Sequence, residues 1–231
     1  MSTHISPLTK PLTKEEFVEM LKAYSKKGSE NIIRRGSLSF FYEGELELKK
    51  AWKKMGNLHK LKNITIYNVG VGGGGAGNVE YLLNFFRRKG IEPEIHNYEA
   101  RRRNIENLVA GLKVLLGDTL PKELHFYEAD MYLTKLEPEA DILIGINIFP
   151  MKVDTWGSLE RALFDNFVRG TKKGGYIIIN EWGARRKSNI VALRLIDFQA
   201  YGLRVAEVIL NKEGHAIIVL KRVKMAPILE F

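Results

Sequence analysis

The residues best suited to chemistry lie between Asn68 and Asn78, where Gly70, Gly72, Gly73, Gly74, Gly75 and Gly77 crowd one turn. An apolar run from Ile64 to Val69 leads into them, and Val79, Leu82, Leu83 and Phe86 follow at helical spacing until Gly90 stops the pattern. A strand that becomes a helix through glycines brings bare backbone N–H groups and a helix N-terminus close to a ligand with a negative group. Such a turn suits a nucleotide-like cofactor. Glu99 ends a second strand pattern, where a carboxylate can accept hydrogen bonds from both hydroxyls of a ribose. Asp130, in Glu128-Ala129-Asp130-Met131, follows a third strand pattern and can accept from an adenine amino group.

The glycines fit two spacings. Gly70-Val71-Gly72-Gly73-Gly74-Gly75 satisfies the dinucleotide pattern G-x-G-x-x-G, and Asn68-x-Gly70-x-Gly72-x-Gly74 satisfies another. A dehydrogenase would use the glycines and Glu99 but needs neither Asp130 nor the terminal hairpin described below. The chain has no Tyr-x-x-x-Lys pair, so the usual acid/base of short-chain dehydrogenases is missing.

The elements that must position these residues alternate from Lys62 onward. Strands are predicted at Ile64–Val69, Glu94–Tyr98, Glu123–Glu128, Ile142–Ile148 and Tyr176–Asn180, and helices at Val79–Lys89, Arg102–Leu116, Leu159–Val168 and Asn189–Tyr201. This alternation implies an α/β fold, a doubly wound and mostly parallel sheet with helices on both faces. Val205–Asn211 and His215–Arg222 are joined only by Lys212-Glu213-Gly214, a link so short that the two strands must be antiparallel. One strand of the sheet is therefore reversed. Residues 1–60 read as a helical N-terminal cap. Thr13-Lys14-Glu15-Glu16 is a capping box, a second short helix covers Asn31 to Arg35, and another covers Leu46 to Met55. Ser37 to Tyr42 reads as a loop or short strand between them.

At this point the chain resembles the class I S-adenosylmethionine-dependent methyltransferases. The motifs are Asn68 to Gly74, Tyr98-Glu99, Ala129-Asp130, the apolar strand from Asp141 to Ile148, and Gly174-Gly175-Tyr176 to Glu181. The resemblance implies a Rossmann-like domain over residues 61–231 and S-adenosylmethionine as cofactor. It places Gly70, Gly72 and Gly74 along the methionine end, Glu99 on the ribose, and Asp130 with Met131 beside the adenine. Asn68 and Asn147 join that cofactor set. Asn68 departs from the family, which usually has an acid there; an amide accepts without charge assistance. An aminopropyltransferase shares the fold but places a catalytic acid after the fourth strand, and Gly145 to Pro150 contains none.

An acceptor would sit beyond the C-terminal ends of the strands. That edge carries Phe149, Trp156 and Trp182, followed by Arg185-Arg186-Lys187, whose cations could meet phosphate or carboxylate. Asn147-Ile148-Phe149-Pro150 shares only its Asn with the Asn-Pro-Pro-aromatic motif of planar-nitrogen methyltransferases. The stretch from Gly174 to Glu181 is closer to small-molecule O-methyltransferases, but Asp154-Thr155-Trp156 lacks the histidine base those carry. No catalytic base is assigned. The expectation is methyl transfer to a small organic molecule, with RNA methylation or cofactor binding without catalysis as alternatives.

Composition sets the limits. The 231 residues fit one large domain, and 45% of them are hydrophobic, ordinary for a globular protein. No apolar run approaches the ~18 residues of a membrane span, and residues 1–7 lack a secretory pattern, so the expected location is cytoplasmic. Cysteine is absent, which excludes disulfides and thiolate metal sites. The five histidines show no ligand spacing, so no metal is expected, and His96 and His125 fall in strands where packing or solvent accounts for them. The net charge of +9 fits a solvated basic surface or an acidic partner such as nucleic acid.

Overall fold

Alternation within the strands decides what each face buries. In a computed structural model, β1 (Asn63–Val69) sends Ile64 and Ile66 into a core shared with α2 (Ala76–Arg87) and α3 (Arg102–Leu116), and sends Tyr67 and Val69 to the opposite face. The structure describes residues 45–72, 75–137, 139–146, 148, 158–180, 198–210 and 216–224. Beside β1 run β2 (Glu92–Glu99), then β3 (Leu124–Glu128), and on its other side β4 (Ala140–Gly145) and β5 (Thr171–Asn180), all parallel. β7 (Ala216–Arg222) pairs antiparallel with both β5 and β6 (Leu203–Leu210). The single sheet has the order β3-β2-β1-β4-β5-β7-β6. The reversed strand is β7, as the short hairpin link required.

Central position explains composition. Every residue of β4 is buried, and it carries Ile142, Leu143 and Ile144 in an unbroken apolar run. α4 (Ser158–Gly170) covers the second face with Leu163, Phe164, Phe167 and Val168. Its C-terminus meets Arg222, the last residue of β7, whose guanidinium donates to the carbonyls of Val168, Arg169 and Thr171. A buried arginine is tolerated there because helix C-terminal carbonyls supply both acceptors and the negative end of the helix dipole. Burial alone holds its pKa below the ordinary guanidinium value.

β5 starts five residues before the predicted Tyr176. Ala140 pairs with Thr171 while Ile142 pairs with Tyr176, so β5 bulges between them. Gly174 lies at φ +86°, and a Cβ on Gly175 would approach the Ala140 and Asp141 carbonyl oxygens to 3.0 Å. The paired glycines thus allow an irregular strand to lie tightly against β4.

α1 (Glu45–Lys53) and the 3-10 turn Gly56–Leu58 contribute Leu48, Ala51, Trp52, Met55 and Leu58 to the same core as β1 and α2. Tyr176 fastens this segment, its hydroxyl donating to the Lys54 carbonyl (3.1 Å) and lying against Asn57 Oδ1. The predictions for residues 13–42 lie outside the described residues, as do residues 189–197 of the last predicted helix. That helix is not continued at 198–201, which form a turn ending at Gly202, φ +67°.

Among the described residues, no helix lies between β3 and β4. The chain turns instead, with Leu133 and Thr134 N–H donating to the Asp130 carbonyl. On the face of β1, β2 and β3 away from α2 and α3, Tyr67, His96, Tyr98, His125 and Tyr127 build a continuous aromatic layer. Burial, and then the charge of Glu139, push the Tyr67 phenol up to about 12. Burial, and then the neighbouring His125, hold His96 below the ordinary imidazole value.

Candidate functional site

The glycine turn stands where β1 ends and α2 begins. Gly70 and Gly72 have φ of +69° and +66°, a conformation L side chains rarely adopt. The two glycines differ in surroundings. A Cβ on Gly70 would overlap Ile148, so that glycine lets the turn close onto the chain after β4. A Cβ on Gly72 would meet nothing within 4 Å, so its backbone borders open space. α2 starts from Gly75 without a side-chain cap. Gly74 lies outside the described residues.

Glu99, at the tip of β2, faces this turn. The Gly72 N–H donates to its Oε2 at 3.0 Å, while the Arg101 N–H (3.2 Å) and Asn104 Nδ2 (3.0 Å) donate to Oε1. Two strand ends are thereby joined by one carboxylate, half exposed and already fixed in orientation. Asn104 has a positioning part that sequence reading missed. Its signal was present: an amide one helical turn into α3 can reach back to an acid just before the helix.

Asn68 is 5% exposed and donates through Nδ2 to Asn97 Oδ1 at 3.1 Å. Asn97 in turn donates to the His125 carbonyl, so a buried amide chain ties β1, β2 and β3 together. Asp130 is exposed, and its Oδ1 accepts from the Tyr132 N–H (2.9 Å) to shape the turn after β3. Met131 is buried in the core cluster of the second face. Glu99 and the turn at Gly70 and Gly72 are in direct hydrogen-bond contact; Asp130 and Met131 follow the adjacent β3 at the same sheet edge. Asn147, Phe149, Trp156, Trp182, Arg185 and Arg186 lie outside the described residues.

No protein-family model matches the sequence, and no curated protein matches it. Solved structures do. A Listeria monocytogenes protein assigned to the class I S-adenosylmethionine-dependent methyltransferases aligns at a TM-score of 0.63 and 16% identity over 92% of this chain and 69% of that one. An S-adenosylmethionine-dependent methyltransferase from Aquifex aeolicus aligns at 0.54 and 13% identity, over 90% of this chain and 98% of that one. Geranyl diphosphate C-methyltransferase from Streptomyces coelicolor aligns at 0.51 and 15% identity, over 78% and 80%. The chain has the class I methyltransferase fold. Within that fold the glycine turn and Glu99 occupy the ends of the first two strands, beside the point where strand order reverses between β1 and β4. Ligands of open α/β sheets bind at such a reversal. Among the described residues, no helix is long and apolar enough to cross a membrane.

Proposed function

We propose that this protein is an S-adenosylmethionine-dependent methyltransferase. The observation that carries the reading is the Glu99 carboxylate held against the Gly72 N–H at the strand-order reversal of a class I methyltransferase sheet. The site residues fit the group: an acid with two oxygens for a ribose diol, and a positive-φ glycine backbone open on its outer side. The cofactor, when bound, supplies a methyl group already activated by its sulfonium.

The chain's own tasks are then to hold and to shield. Glu99 accepts from the ribose hydroxyls, exchanging part of its present contact with Gly72. The glycine turn permits close approach of the methionine portion. Asp130, whose Oδ1 already organises its turn, accepts from the adenine amino group. Positioning of an acceptor in line with the methyl–sulfur bond supplies up to ~7–11 kcal/mol of the acceleration. A base is required only for an acceptor that must lose a proton first.

For the acceptor we favour a small organic molecule, bound by Phe149, Trp156, Trp182, Arg185 and Arg186 beneath a cap formed by residues 1–44; residues 45–58 belong to the core instead. The aromatic residues and the strand motif ending at Glu181 support it; the charge of +9 favours RNA. A non-catalytic cofactor-binding protein is the second reading. The Asn68 amide supports it, since it offers no charge to an ammonium group and is engaged with Asn97. Transfer of a labelled methyl group to candidate acceptors tests the proposal: incorporation into a small molecule supports it, and cofactor binding without turnover on any acceptor class supports the second reading.

A further inference from the structure

The aromatic layer on the face of β1–β3 away from α2 and α3 ends in a cluster that the cofactor reading leaves unused. Glu94 and His96 are two residues apart on β2 and share a face; His125 lies opposite His96 in the register of β3. His125 Nε2 is 3.2 Å and His96 Nε2 is 3.6 Å from the same oxygen, Glu94 Oε1. The sequence conceals this grouping because the two histidines are 29 positions apart and come together only through strand pairing.

We propose that Glu94, His96 and His125 form a binding site for a divalent ion of the zinc class. Donor chemistry is the first argument. Two imidazoles and a carboxylate suit zinc and its neighbours, and three protein ligands with a solvent-facing fourth position make an open site. The side chains of Glu94 and His125 are 54% and 35% exposed, so that position is accessible to water and to an entering ion.

Distance is the second argument. With zinc–ligand bonds of about 2.0–2.1 Å, tetrahedral donors stand about 3.4 Å apart. The two nitrogen–oxygen edges bracket that value. One donor atom from each of the three residues lies within 4.8 Å of the other two, so no edge of that triangle has to close by more than about 1.5 Å. The imidazoles now stack with centroids 4.7 Å apart; rotation of the half-exposed His125 ring turns its lone pair towards a shared ion.

The third argument is orientation. His96 Nδ1 lies 3.0 Å from the Tyr127 hydroxyl. When Nδ1–H donates to that oxygen, the Nε2 lone pair is left facing Glu94. Metal-bound histidines are fixed through their second nitrogen in this manner, which makes Tyr127 a positioning residue. His96 lies about 10 Å back along β2 from Glu99, three residues at about 3.3 Å each, and the cluster shares no residue with the cofactor site.

The test uses the full chain stripped of metal by a chelator and titrated with Zn²⁺ by calorimetry, with Co²⁺ absorption reporting coordination. One ion per chain should bind through this cluster. His96→Ala and His125→Ala should each weaken Zn²⁺ binding more than the ~10-fold loss expected for Tyr127→Phe, and should abolish the Co²⁺ signal. His59→Ala, whose ring contacts the Trp52 carbonyl elsewhere, should change neither. If a histidine variant fails to fold, the exposed Glu94→Gln decides the matter by the same readouts. Absence of Zn²⁺ binding, or binding within twofold of the parent in the His96→Ala/His125→Ala double variant, overturns the site. No cofactor enters this measurement, so its failure leaves the methyltransferase reading untouched, and the converse holds.

Discussion

Glu99 carries three donated hydrogen bonds before any ligand arrives, and two of them come from groups that merely aim it. Its loss should therefore fall on binding and not on folding. Glu99→Ala should weaken S-adenosylmethionine affinity by the ~1.5–3 kcal/mol of hydrogen bonds to a charged group, with the melting temperature little changed. Gly72→Val should also weaken binding, because it forces a branched residue to φ +66° and fills the open space beside the turn. Normal binding by both variants would refute the assigned cofactor site. Arg222 predicts the opposite pattern. Its guanidinium serves three carbonyls at the end of α4, so Arg222→Ala should cost ~1–3 kcal/mol in urea unfolding and leave cofactor affinity unchanged. A variant as stable as the parent would show that water satisfies those carbonyls instead.

At the scale of elements, the Gly174-Gly175 pair explains how β5 can bulge and still lie against β4. Gly175→Val should destabilise by ~1–3 kcal/mol through overpacking against two backbone carbonyls, whereas Gly56→Ala, with nothing within 4 Å, should be neutral. Thermal unfolding of the two variants checks the contrast. The strands themselves were legible because hydrophobic period and turn residues are local properties. β1 and α3 stand where Ile64–Val69 and Arg102–Leu116 predicted them, and the hairpin link alone announced β7. The bulge was not legible, because it exists only in the pairing of β5 with β4. The same limit hid Asn97 as the partner of Asn68 and His125 as the neighbour of His96. Both pairings depend on strand register, and spacing along the chain does not encode it.

At the scale of the whole molecule, the basic charge and the aromatic residues Phe149, Trp156 and Trp182 make competing suggestions about the acceptor. Binding to single-stranded RNA that neutralises phosphates should lose affinity with a log–log salt slope near ~−0.7 per phosphate. Our account expects weak RNA binding that disappears at physiological salt, without methyl incorporation into RNA. Robust methylation of transfer or ribosomal RNA would replace the small-molecule acceptor with a nucleic acid.

The central claim is narrower: the turn at Gly70 and Gly72, with Glu99, receives an S-adenosyl cofactor. Titration calorimetry of the full chain with S-adenosylmethionine, S-adenosylhomocysteine and NAD addresses it most directly. The account predicts saturable binding of the first two and none of NAD, with affinity reduced in Glu99→Ala. Preferential binding of NAD, or S-adenosyl binding indifferent to Glu99, would contradict it.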